Sequence, residues 1–75
     1  NQMIYDKLKV FKELAKPVHI TKKDREWLNG EVITISKTFC EIQEFKKGYM
    51  VVFYDEIYSV ESYTKEVKDG TSRNS

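Results

Sequence analysis

The sequence predicts a mainly β domain with one N-terminal α-helix, its five strands forming a strongly bent, antiparallel small barrel. Three observations predict it. Apolar residues recur at helical spacing up to the single proline, Pro17. The period then changes to two, with β-branched and aromatic residues dominant. Turn-forming residues punctuate the rest of the chain at short intervals.

From Met3 to Lys16 the residues Ile4, Leu8, Phe11, Leu14 and Ala15 fall three or four apart, which puts them on one side of a helix, with Lys9, Lys12 and Lys16 on the other. Pro17 lacks a backbone donor and pushes Lys16 toward extended geometry, so the helix is expected to end there. Five strands follow, at Val18 to Lys23, Glu26 to Ser36, Phe39 to Phe45, Tyr49 to Tyr54 and Ser59 to Thr64. Lys23-Asp24-Arg25, Ser36-Lys37-Thr38 and Lys46-Lys47-Gly48 connect the first four tightly, and Asp55-Glu56 makes the last corner as one turn of 3₁₀ helix. Gly30, inside the second strand, marks a bulge or sharp bend that lets one long strand serve both halves of a barrel. One domain is expected over residues 1–66, with a polar, aperiodic and disordered tail over 67–75.

Size and charge set bounds on function. A chain of 75 residues buries only about 60% of its unfolded surface, so self-association would add stability that one small core lacks. The net charge of +1 is unevenly spread. Residues 1–50 hold ten Lys and Arg against seven Asp and Glu, and residues 51–75 hold three against five. The first half is thus mildly basic, without the large excess of proteins held to nucleic acid mainly through phosphates. The single cysteine and single histidine offer no intramolecular disulfide and no soft metal-ligand set, so neither metal nor cofactor is expected, and a reducing, cytoplasmic setting fits. No apolar run has the length of a membrane span, and the opening Asn1-Gln2-Met3-Ile4 lacks the blocks of a signal peptide.

The fourth strand is the local anomaly, because Tyr49-Met50-Val51-Val52-Phe53-Tyr54 is apolar at six successive positions. Either a neighbouring subunit covers its second face, closing a ring or a dimer, or the helix covers one face and the aromatic rings stay partly exposed. Tyr49, Val51, Phe53, Tyr58 and Tyr63 are therefore the candidate subunit or partner interface, with Trp27 part of the same aromatic-rich surface.

Enzymatic chemistry finds little purchase. Glu41 and Glu44 fall on opposite sides of a regular strand, and Asp55 and Glu56 sit at a corner. His19 turns away from Val18 and Ile20 with no ligand-type residue at useful spacing, and Cys40 has no adjacent base. Binding chemistry is better represented. Lys9, Lys12 and Lys16 form either a phosphate-binding face or a solvated one. Lys37 beside Phe39, with Tyr54 at the opposite corner, gives the charge-plus-aromatic mixture used on single strands, unless Phe39 is simply core.

The order of elements, a helix ending in proline and then five strands with a bent, glycine-bearing second strand, resembles the Sm-like family of ring-forming RNA-binding barrels. In its bacterial Hfq branch a helix runs into Val-Pro-Val-Ser-Ile, which is similar to Ala15-Lys16-Pro17-Val18-His19-Ile20. Leu-Gln-Gly-Gln-Ile is similar to Leu28-Asn29-Gly30-Glu31-Val32, and Ala-Ile-Ser-Thr-Val to Glu56-Ile57-Tyr58-Ser59-Val60. Phe39 matches a phenylalanine after the family's second strand. The family's Tyr-Lys-His, which reads uridine-rich RNA, is replaced here by Phe53-Tyr54-Asp55. The resemblance carries over Phe39 alone as a base-stacking residue, and Asp55 at such a rim would repel phosphate. Joined to the lysines Lys9, Lys12, Lys16 and Lys37 and to Tyr54, which the residue pattern supplies, it leads to the expectation of a self-associating, non-catalytic small barrel of Sm-like or SH3-like type that binds single-stranded RNA. A protein-interaction or assembly module using the fourth strand, without nucleic acid, is the alternative.

Overall fold

The computed structural model describes residues 2–64 of the chain, so the segment 67–75 lies outside the described residues. Helix α1 runs over Gln2–Leu14. Ile4 and Leu8, one turn apart, are buried and Phe11 is half-buried, but Leu14 at the end of the same stripe is 58% exposed. The helix stops before the expected Lys16. Ala15 turns left-handed at φ 56°, with its N–H donating to the Lys12 carbonyl at 3.1 Å and the Lys16 N–H to the Phe11 carbonyl at 3.0 Å. This double closure normally falls on glycine; on alanine the conformation is disfavoured by about 1 kcal/mol.

Five strands follow: β1 Val18–Lys22, β2 Trp27–Ile35, β3 Phe39–Glu44, β4 Gly48–Phe53 and β5 Ile57–Ser62, with a 3₁₀ turn over Tyr54–Glu56 before the last. All pairings are antiparallel, in the order β4-β3-β2-β1-β5. Among the described residues β4 and β5 are the two edges with no ladder between them. Among the described residues the sheet is therefore open, and closure into the small barrel expected from the sequence is not shown.

Alternation along each strand sends Val18, Ile20, Leu28, Cys40, Ile42, Val52 and Val60 inward onto Ile4 and Leu8 of α1. Each fully buried aliphatic side chain here contributes about 1.5–3 kcal/mol relative to exposure. The first half of β2 pairs with β1 and the second half with β3; Gly30 alone is in both registers, opposite Val18 and Glu44. A Cβ at Gly30 would sit 2.1 Å from the Gln43 carbonyl oxygen, so the close approach of β2 and β3 requires glycine. The bulge itself lies three residues further on. The register skips Ile33 between Val32 and Thr34. A second irregularity skips Tyr58, pairing Thr21 with Ser59 and Lys22 with Ile57, which starts β5 two residues earlier than expected and buries Ile57.

β4 resolves its own anomaly by plain alternation. Val52 is buried and Met50 half-buried, whereas Tyr49, Val51 and Phe53 are 58%, 41% and 45% exposed. One face joins the core and the other is open.

The β3–β4 turn is held by Glu44, which is buried despite its charge. Its carboxylate accepts the backbone N–H groups of Asn29 at 3.0 Å, Lys46 at 2.8 Å and Lys47 at 2.7 Å. Gly48 then takes φ 84°, the left-handed conformation the tight turn needs. Lys22 and Lys47 both pair with Glu26, and Lys22 also reaches Glu56 at 3.6 Å, linking three neighbouring turns. No helix among the described residues is long and apolar enough to cross a membrane.

The hydrogen bond from Asn29, together with those from Lys47 and Lys46, holds the Glu44 carboxyl below its ordinary value of 4.5. The folded chain thus binds this proton less readily than the unfolded one, so the stabilisation is complete above about pH 4.5 and lost as pH falls through the lower folded value. Glu44→Gln should lower stability at pH 7 by about 1–2 kcal/mol in denaturant unfolding, and the gap from the parent chain should narrow as the pH is taken below 4.5 toward 3. An equal gap at both pH values would mean that the charge plays no part.

Candidate functional site

The helix side gathers most of the basic candidates. Lys9 and Lys12 line, together with the Glu13 carboxylate, a recess of about 410 Å³ whose far wall is Ile33, Thr34 and Ile35 of β2. Lys37, in the β2–β3 turn, borders a neighbouring recess of about 210 Å³ with Gln2 and Tyr54. Tyr5 lines both and packs edge-on against Tyr54, ring centroids 6.0 Å apart at 80°. The sequence reading passed over Tyr5, although the signal was present: Tyr5, Lys9, Lys12 and Lys16 follow i, i+4, i+7 and i+11 along one helical line. Lys16 lies past the left-handed turn at Ala15, is exposed, and borders neither recess.

Tyr54 is only 4% exposed. Its backbone N–H donates to the Thr38 carbonyl at 3.0 Å and its hydroxyl to the Ser36 carbonyl, fastening the 3₁₀ turn to the β2–β3 connection. Burial pushes the phenol up to about 12, so it stays a donor. A ring so covered is a floor for Tyr5 and offers no face for a base to stack on.

Phe39 sits elsewhere. It is half-buried at the start of β3, in register with Phe53, the two rings 5.7 Å apart and tilted by 52°. With Tyr49 and Val51 these rings form an apolar strip on the outer side of the β4 edge. The Tyr49 phenol is raised first by its hydrogen bond to Glu41, which anchors the strip's far end. The other interface candidates are apart from β4. Tyr58, thrown outward by its bulge, is 73% exposed on the β5 edge, and Tyr63 follows β5, packing on Phe45 with ring centroids 5.4 Å apart.

The sheet face away from the helix carries a third arrangement. His19 is in register with Asn29 on one side and Glu61 on the other, a polar row across β2, β1 and β5. The imidazole Nδ1 hydrogen-bonds the Asn29 side-chain oxygen, and the ring meets Trp27 edge-on at 5.6 Å. These residues and Tyr63 line a cleft of about 410 Å³, with Trp27 itself 66% exposed.

Among the described residues no three His, Cys, Asp or Glu side chains come together as a metal-binding group. Glu41 and Glu44 share no cleft, since Glu44 serves the turn, and Glu56 is engaged by Lys22. Cys40 is fully buried, and burial followed by the nearby Glu41 pushes its thiol up to about 12. Alkylation by iodoacetamide at pH 8 should therefore be at least about 100-fold slower in the native chain than in the unfolded one; equal rates would mean that the core opens readily. No protein-family model matches the chain and no curated protein is significantly similar to it.

Proposed function

We propose that this chain is a non-catalytic, self-associating domain of Sm-like type that binds single-stranded RNA on its helix side. The observation that carries this reading is the placing of Lys9, Lys12 and Lys37 around one accessible aromatic residue, Tyr5, in two adjoining recesses. The lysines bind phosphates and release counterions, and the Tyr5 ring stacks on a base that enters between them. Tyr5 takes the stacking role expected of Phe39 or Tyr54. Asp55 and Glu56 lie beyond Tyr54, so the strand is held toward the helix rather than toward the acidic corner.

Self-association is supported by the two free edges. A β4 edge that pairs with the β5 edge of the next copy is a head-to-tail contact, and repeating it closes the sheet between subunits instead of within one. It also covers apolar rings that a lone domain leaves in water. In this arrangement each copy adds its own lysines, which compensates for a chain whose net charge is only +1.

A second reading is favoured by the β4 strip alone. Tyr49, Val51, Phe53 and Phe39 fit the edge strand of a different protein equally well, and an assembly module of that kind needs no RNA.

Fluorescence anisotropy of a labelled oligouridine separates the two. Three phosphate contacts give a loss of affinity of about 18-fold between 50 and 200 mM salt, and Lys12→Glu and Tyr5→Ala should each weaken binding about tenfold while the circular dichroism spectrum is unchanged. Absent binding at 50 mM salt, or binding indifferent to salt and to both substitutions, would overturn the RNA reading and leave the assembly module.

A further inference from the structure

The outer cleft on β1, β2 and β5 differs in chemistry from the lysine recesses. Although the chain holds 13 Lys and Arg, none lines this cleft among the described residues. Its walls are the exposed Trp27, the Tyr63 ring, the His19–Asn29 pair and the Glu61 carboxylate. Nothing here attracts a phosphate, and Glu61 would repel one. An electron-rich ring beside a carboxylate instead suits a cation.

We propose that this cleft binds the guanidinium group of an arginine on a basic partner peptide. Guanidinium is planar, so it lies flat on an indole while its N–H groups point outward in its own plane. The cleft lining also holds acceptors. Glu61 takes the charged pair, and His19 adds the lone pair of Nε2, since its Nδ1–H is already donated to the Asn29 oxygen. An ammonium group uses the same charge but gains less from a flat ring. The cleft's volume of about 410 Å³ takes one long side chain and no folded element. The occupant is therefore one arginine of an extended peptide.

The site is independent of the proposed RNA surface, which lies on the helix side of the sheet, and the chain carries its own reporter. Trp27 is the single tryptophan, so its emission reads the cleft directly. The experiment titrates the full chain with an acetylated Gly-Arg-Gly amide and, in parallel, with the same peptide bearing citrulline, the neutral isostere of arginine. The expected result is a saturable change in Trp27 emission with the arginine peptide, at least tenfold weaker with citrulline. Glu61→Gln, at an exposed position where the fold is not at risk, should weaken the arginine response about tenfold. Lys12→Glu should leave it unchanged, which keeps this result separate from that of the RNA titration. Equal responses to the two peptides, no saturable change at millimolar peptide, or a larger Trp27 response to oligouridine than to the arginine peptide would each overturn the proposal.

Discussion

The fold turns on Gly30, where two backbones come closer than any side chain allows. With β1 on one flank and β3 on the other, this residue is the shared point of two ladders, and the Gln43 carbonyl occupies the space a Cβ would need. Everything downstream depends on that contact. It brings β3 against β2 so that the Glu44 carboxylate reaches the Asn29 N–H, and the same carboxylate fixes the turn into β4. The inward faces of all five strands then share one small core that α1 covers with Ile4 and Leu8. A domain with so few buried side chains has little redundancy, so a local backbone constraint acts on the whole.

Legibility in the sequence followed the range of the interaction. The helix, the five strands and the last corner were readable because each is written in nearest neighbours: a 3.6 period, a 2.0 period, and Gly48 where a turn needs positive φ. What was not readable depends on partners far along the chain. The helix closes through backbone bonds at a left-handed Ala15, two residues ahead of Pro17, and nothing in an alanine announces this. The bulges at Ile33 and Tyr58 each leave one residue out of the pairing with the opposing strand, which only the register reveals. The sequence marks Gly30 as a bulge or sharp bend; the bulge falls at Ile33 instead, and Gly30 is where β2 passes from one partner to the other at a close approach no side chain allows. Closure into a barrel was inferred from element order, and order does not fix whether edges meet.

The candidate surfaces show the same division. Lysine positions followed from helical spacing, yet their aromatic companion is Tyr5, because Tyr54 is drawn inside by the 3₁₀ turn. Phe39 and Lys37, two residues apart in sequence, serve different surfaces, since the start of β3 sends the ring to the β4 strip while the turn leaves the lysine beside the helix. The near-neutral net charge averages over these surfaces and describes none of them. Lys9 and Lys12 share the helix-side recess with Glu13, whereas among the described residues the cleft on the opposite face is lined by Glu61 and by no Lys or Arg.

The left-handed alanine at the helix end has an evolutionary corollary. Alanine and glycine codons differ by a single base, so the residue that suits φ 56° is one nucleotide away, and the exchange would relieve strain without touching a contact in the core. A lineage carrying this chain therefore holds an easily reached reserve of stability at position 15. Such a reserve allows other positions, including those on the exposed strip and in the outer cleft, to change toward new partners before the fold fails.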